Sequence, residues 1–208
     1  MEAYRTIAGY GRAEIDEKRS VFIGSADFVT TEEEAIAFVS RIRAEFPDAR
    51  HNVYAYLLRE GAKTRYSDDR EPQGTAGLPV LEVLRKNVCL NVAIVVTRYF
   101  GGILLGAGGL VRAYTEAAAA ALQAAGHVHC TPCATYRFPC PYGEYQRLSR
   151  ILEGCGVILG EAEFGAEVSL TYTVSFQEAE RVVQKIFEAS NGRIVPQKIG
   201  EGWQKLPL

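Results

Sequence analysis

Between Val92 and Ala125 the chain passes from a largely β-branched run, VAIVVT, through five glycines in nine positions to an alanine-rich stretch without further glycine or proline. The run predicts a buried strand, because a strand covered on both faces has no need to alternate. The alanine-rich stretch, about Gly108 to Ala125, predicts a long helix. Gly101, Gly102, Gly106, Gly108 and Gly109 predict bare backbone where the strand hands over to the helix. Strand, glycine loop and helix N-terminus form a geometry that cradles phosphate and other anions. It is neither G-x-x-x-x-G-K-[ST] nor G-x-G-x-x-G, since no lysine follows Gly109 and the spacing differs. Close helix–strand packing also uses glycine, but five in nine positions exceed what packing usually needs. An anion-binding or backbone-binding role is therefore expected. Arg98 and Tyr99 stand at the strand exit and Arg112 in the opening turns of the helix, the two arginines offering planar donors.

A second stretch, YSDDREPQGTAG, places Ser67, Asp68, Asp69 and Glu71 ahead of Pro72, Gly74, Thr75 and Gly77. The proline and glycines predict a shaped loop. Three carboxylates this close suit a hard cation or acid–base chemistry, and equally a solvated turn in which Asp68 and Asp69 bond their own backbone. The following GTAGLP opens a helix whose free N–H groups favour an anion. His51, just before an aromatic-rich strand over 52–58, reads as a general base or ligand, or as a strand-edge histidine bonded to backbone; the last is the commoner role.

At 208 residues the chain has room for two domains. Residues 5–12 and 21–29 read as strands around a turn at Asp16–Ser20, followed by a helix capped at Thr30 or Thr31 and closed by Pro47. Gly126–Pro132 reads as a linker, dividing the chain into 1–129 and 130–208. The second part reads strand (135–140), helix (142–153), strand (157–163), strand (167–176), helix (177–189), strand (193–199). That βαββαβ order is the ferredoxin-like arrangement, and the overall class is α+β. His127, His129, Cys130 and Cys133, in HVHCTPC, could hold zinc by composition. No second ligand pair stands at finger spacing, so no metal and no cofactor is expected.

A formal charge of −2 supplies no global attraction to nucleic acid or membrane, so RNA contact would need a local basic patch. There is no secretory h-region and no apolar run near the roughly 18–20 residues of a membrane span, so no membrane association is expected. Five cysteines do not form a disulfide framework, and a cytoplasmic home is expected.

The segments YSDDREPQGTAGLPVL and VVTRYFGGILLGAGGLVRAY, within the run from His51 to Tyr114, resemble the YigZ/IMPACT family. The sequence departs from the family pattern at Arg70, where glycine is usual, and at Leu78, where lysine is usual. The resemblance implies an N-terminal domain with the fold of a ribosomal-protein domain, GHMP kinases and domain IV of elongation factor G, and a C-terminal domain like domain V of that factor. In those kinases a glycine-rich loop at a helix N-terminus binds phosphate, the place Gly106–Gly109 would take. The eukaryotic relatives regulate translation initiation by binding a regulator of a stress kinase.

Three functions follow as expectations. The first is a non-enzymatic, translation-associated protein contacting RNA, the ribosome or a translation factor, with Arg98 and Arg112 facing solvent. The second is a metal-assisted enzyme on a phosphorylated or nucleotide substrate, with Asp68, Asp69 or Glu71 meeting Arg98 in a concave pocket. The third is a protein-binding regulator without nucleic-acid contact. Binding ranks above catalysis because no nucleophile–base pair can be assembled from the sequence.

Overall fold

A computed structural model describes residues 2–207. The chain divides into two compact units, Tyr4–His129 with the C-terminal residues from Lys205, and Cys130–Gln204 with the residues before Tyr4. Both units are mixed α and β with antiparallel sheets.

The first unit runs β1 (Tyr4–Ile7), β2 (Gly11–Glu17), β3 (Ser20–Phe28), α1 (Glu32–Glu45), β4 (His51–Leu57), β5 (Thr64–Ser67), α2 (Gly77–Lys86), β6 (Val92–Tyr99) and α3 (Gly106–Ala124). Its five-stranded sheet has the order β2-β3-β6-β4-β5. The strand expected over 5–12 is two strands, because the N–H of Ala8 turns to the carbonyl of Gly126 rather than continuing along β3. The β2–β3 turn is two residues long, Lys18 and Arg19, both at positive φ as the tight hairpin turn requires. β5 was not expected; it forms the sheet edge against β4.

The central strand β6 serves two cores at once. Val92, Ile94 and Val96 pack with α2 and α3, while Ala93 and Val95 pack with Ala35, Phe38, Val39 and Ile42 of α1. A strand whose alternate residues both meet apolar layers has no wet face, which is why its sequence is apolar without a break. On one side α1 begins with a capping box: Thr31 accepts from the Glu34 N–H, and Glu34 accepts from the Thr31 N–H. On the other, the alanine face of α3 (Ala113, Ala117, Ala118, Ala121) lies almost on the backbone of β2 and β3. A Cβ at Gly24 would stand 2.3 Å from the Ala117 carbonyl oxygen, and one at Gly11 would stand 2.2 Å from the Ala125 nitrogen. The small residues on both sides set the depth at which the helix docks.

The second unit holds most of β7 (His127–Cys140), then α4 (Tyr142–Glu153), β8 (Ile158–Leu159), β9 (Glu163–Phe164), β10 (Val168–Ser175), α5 (Ala179–Ala189) and most of β11 (Gln197–Pro207). The strand path is β7-β10-β8, with β11 on β7 and β9 on β10. The boundary expected within Gly126–Pro132 coincides with the division between His129 and Cys130, but the segment is strand rather than irregular linker: β7 runs unbroken through Pro132, whose carbonyl accepts from the Phe176 N–H. The strand expected over 157–163 is split. Leu159 pairs with Tyr172 and Glu163 with Ser169, so three residues (160–162) oppose two (Leu170 and Thr171), a bulge that interrupts the ladder. No helix among the described residues is long and apolar enough to cross a membrane.

Gly24→Ala should destabilise the protein by about 1–3 kcal/mol through overpacking against α3. Urea denaturation followed by circular dichroism measures it, and an unchanged midpoint would mean that α3 docks less tightly than described.

Candidate functional site

The site grows from the end of β6. His51 on β4 and Phe22 on β3 are the register partners of Arg98, so the three side chains share the sheet face that carries α2 and α3. Tyr99, one residue on, points to the other face, where its hydroxyl donates to Asp48 and its ring meets the edge of Phe46. Arg98 was expected to face solvent; instead its side chain is 7% exposed, because the even-numbered face of β6 is covered by α2 and α3.

A buried guanidinium needs a partner, and the acidic loop supplies it. Arg98 Nη1 donates to Glu71 Oε1 at 2.6 Å, and the Tyr114 hydroxyl of α3 donates to the same oxygen at 2.8 Å. His51 Nε2 stands 3.9 Å from that oxygen, while His51 Nδ1 donates to the Asp69 carbonyl at 2.8 Å. The carbonyl only accepts, so Nδ1 carries a proton in this contact, and Nε2 is the ring nitrogen that faces Glu71. Burial first, and the Glu71 charge second, push the Tyr114 phenol far above its ordinary value, so it remains a donor. Phe22 and Phe100 cover the guanidinium, with ring centroids 5.3 and 5.6 Å from its central carbon.

The other acids of the loop are structural. Asp68 accepts from the N–H groups of Gly74, Ala76 and Gly77 at 2.7–3.1 Å and thereby caps α2. The anion expected at that helix N-terminus is the protein's own carboxylate. Asp69 Oδ2 accepts from the Asn52 N–H at 2.6 Å, and Ser67 Oγ accepts from the Asp69 N–H. Thr75 donates to the Pro72 carbonyl, and Gly77 packs against the Ser67 backbone. Asp69 and Arg70 both take positive φ, reversing the chain so that Glu71 turns inward. Arg70 then donates to the Arg50 carbonyl at 2.6 Å, a tie that its side chain supplies.

The glycine-rich loop separates into individual roles. Gly101 approaches the Arg19 carbonyl, Gly109 packs on Leu105, and Gly102 and Gly106 take positive φ. A Cβ at Gly108 would meet nothing within 4 Å.

These elements enclose a cavity of about 420 Å³. Arg50, His51, Glu71 and Arg98 form its polar wall, Phe100, Leu104, Leu105 and Leu110 much of its apolar wall, and Gly106 and Ala107 of the first turn of α3 complete it. Arg112 and Leu78 do not line it, both being exposed on their helices. Sequence reasoning missed Arg50, Phe100 and Tyr114; the lone aromatic on the buried alanine face of α3 was the available signal for Tyr114.

The Impact N-terminal domain family matches residues 18–122, and a domain of unknown function, DUF1949, matches residues 139–193. The IMPACT family member YvyE of Bacillus subtilis is 34% identical over 93% of this chain and 89% of that protein. YigZ of Escherichia coli is 34% identical over 85% of this chain and 88% of that protein. The chain belongs to the IMPACT family. A solved structure of a hypothetical protein, 32% identical, covers 96% of this chain and 98% of its own with a TM-score of 0.61. Every residue of the cavity lies inside the Impact N-terminal match and none inside the DUF1949 match. The IMPACT resemblance drawn from the two quoted segments holds, and the cavity is built largely from those same segments.

Glu71→Gln should cost about 3–5 kcal/mol, because it leaves the Arg98 charge buried without a counter-ion. Asp68→Ala should cost about 0.5–2 kcal/mol as a lost cap. Chemical denaturation of both variants tests the ranking, and equal losses would refute the difference assigned to the two acids.

Proposed function

We propose that this chain is a cytoplasmic, translation-associated regulatory protein that works by binding RNA, the ribosome or a translation-factor protein rather than by catalysis. The observation that carries this reading is how the chemistry-bearing groups are used. Glu71 is held by Arg98 and Tyr114, His51 Nδ1 is bonded to backbone, and Asp68 and Asp69 accept backbone N–H groups. The lining of the cavity includes no serine, threonine, cysteine or lysine that His51 could activate as a nucleophile. Among the described residues no cluster of three or more His, Cys, Asp or Glu is arranged to hold a metal ion, and Asp68 and Asp69 are engaged elsewhere.

What the first unit does offer is a surface for contact. Phe100, Ile103 and Leu104 stand exposed at the glycine-rich loop, Leu104 at 84%, with the cations Arg50 and Arg112 exposed on the same unit. Apolar side chains on an exposed loop, with arginines exposed on the same unit, suit recognition of RNA or of a protein partner. The strand–helix order of the second unit supports the ferredoxin-like reading and, with the resemblance to elongation factor G, a place beside the translation machinery. Membership of the IMPACT family supports the same assignment, since the resemblance implies a regulatory role in translation for its eukaryotic branch.

Co-sedimentation of the purified protein with ribosomes, and titration with RNA, over a range of salt concentrations tests this. Association that weakens steeply with salt, and that falls in Arg112→Glu and Leu104→Asp, is expected. Both side chains are exposed, so these variants leave the fold intact. No association at low salt, or substrate turnover that disappears in His51→Gln, would overturn the reading.

A further inference from the structure

The glycine-rich loop puts two adjacent leucines to opposite uses. Gly102 and Gly106 take positive φ on either side of Ile103, Leu104 and Leu105. Between these two turns Leu105 is 9% exposed, while Leu104 is 84% exposed. Leu104 nonetheless lines the cavity, together with Phe100, Leu105 and Leu110. Phe100 and Ile103 are exposed as well, and Ile103 lies outside the cavity lining. An apolar surface that begins inside a cavity and runs out over a loop is covered by something larger than the cavity holds. The charge beside it has one sign. Within the lining Glu71 pairs with Arg98, which leaves Arg50, exposed and without an ion pair among the described residues. Arg70, bonded to the Arg50 carbonyl, adds a second exposed cation. The acids nearest in the chain are taken. Asp48 accepts from the Tyr99 hydroxyl, Asp68 caps α2, and Asp69 accepts from the Asn52 N–H and stands 3.6 Å from Arg43.

We propose that the cavity and the loop beside it dock a short acidic segment of a partner protein, one large apolar side chain entering the cavity and a neighbouring carboxylate meeting Arg50. The inference rests on the binding role proposed above and narrows the partner to a protein. The volume of about 420 Å³ is ample for a leucine, phenylalanine or tryptophan side chain. Three of the four large apolar side chains that line it are leucines, which receive aliphatic and aromatic groups alike. A nucleobase is recognised instead by stacking on flat rings and by partners for its edges. The phenyl ring of the lining, Phe100, already carries the Arg98 guanidinium over it. Arg50 and Arg70 form one spot of positive charge, which one or two carboxylates match, rather than a groove that a nucleic-acid backbone follows. The exposed Leu104 and Ile103 then pack against the apolar part of the same segment outside the cavity.

Selection of random phage-displayed heptapeptides on the immobilised full chain, followed by anisotropy titration of the enriched peptide carrying fluorescein, tests the proposal. Enrichment of a large apolar residue beside Asp or Glu is expected. Leu104→Asp should weaken the enriched peptide by about tenfold or more. Arg50→Glu should weaken it by about tenfold, and selection on that variant should replace the acid by Lys or Arg. Both side chains are exposed, so unchanged melting temperatures separate loss of docking from loss of fold. No enriched motif, or a motif that binds Leu104→Asp as tightly as the unaltered protein, would overturn the docking surface. A motif without an acid, or one indifferent to Arg50→Glu, would overturn the acidic partner. RNA association that Leu104→Asp abolishes, with no peptide enriched, would assign the face to RNA; the inference would fall and the translation-associated reading would stand. Peptide docking in a protein that associates with neither ribosomes nor RNA would support the inference and remove both of those partners from that reading.

Discussion

The buried pair of Arg98 and Glu71 is the constraint around which the first unit is arranged. β6 is covered on both faces, so a guanidinium near its end must be matched inside the protein. The match comes from 27 residues upstream and is shared with a hydroxyl 43 residues away on α3. Three segments that are far apart in the chain thus have to arrive at one carboxylate oxygen. Such a pair contributes little net stability, since desolvation offsets most of the attraction, whereas a broken pair is costly. Its effect is on placement: the loop, the strand and the helix have one arrangement in which neither charge is stranded.

Holding Glu71 in that place occupies the rest of its loop. The reversal at Asp69 and Arg70 turns Glu71 inward, and left-handed backbone at two consecutive non-glycine residues persists only when its surroundings hold it. They do so through Asp68 on the start of α2, Asp69 on the Asn52 N–H and Arg70 on the Arg50 carbonyl. Arg70 holds its positive φ without the freedom of a glycine, and its side chain adds a tie to the segment before β4. The same segment carries Arg50 and His51 to the cavity, so the loop that supports the ion pair also positions the polar rim.

Much of this was legible in the sequence wherever the cause was local. The β-branched run, the glycine loop and the alanine face lie within 35 residues of one another, and the Thr31 cap within four. What was not legible depended on distant segments. Asp68, Asp69 and Glu71 look alike in DDRE, yet one caps a helix, one bonds a neighbouring strand and one enters the core, because the chain reverses between them. Arg98 looked like an exit residue because nothing in its neighbourhood announces that helices cover that end of β6. Pro132 read as a break, although a proline fits a strand wherever the ladder does not need its N–H. The bulge over 160–162 was hidden because an extra residue leaves the composition of a strand unchanged.

The glycines sharpen the point, since the five do not share a reason. Gly101 and Gly109 are required by close neighbours, and Gly102 and Gly106 by positive φ. Gly108 is required by neither, for it lies within α3, and a Cβ there would touch nothing within 4 Å. A glycine inside a helix costs about 1 kcal/mol relative to alanine, and the rest of α3 is rich in alanine. Packing and backbone geometry therefore leave this residue unexplained, and together with Gly106 it strips side chains from the first turn of a helix that no carboxylate caps. The fold accounts for four of the five glycines, and nothing in the structure accounts for the fifth.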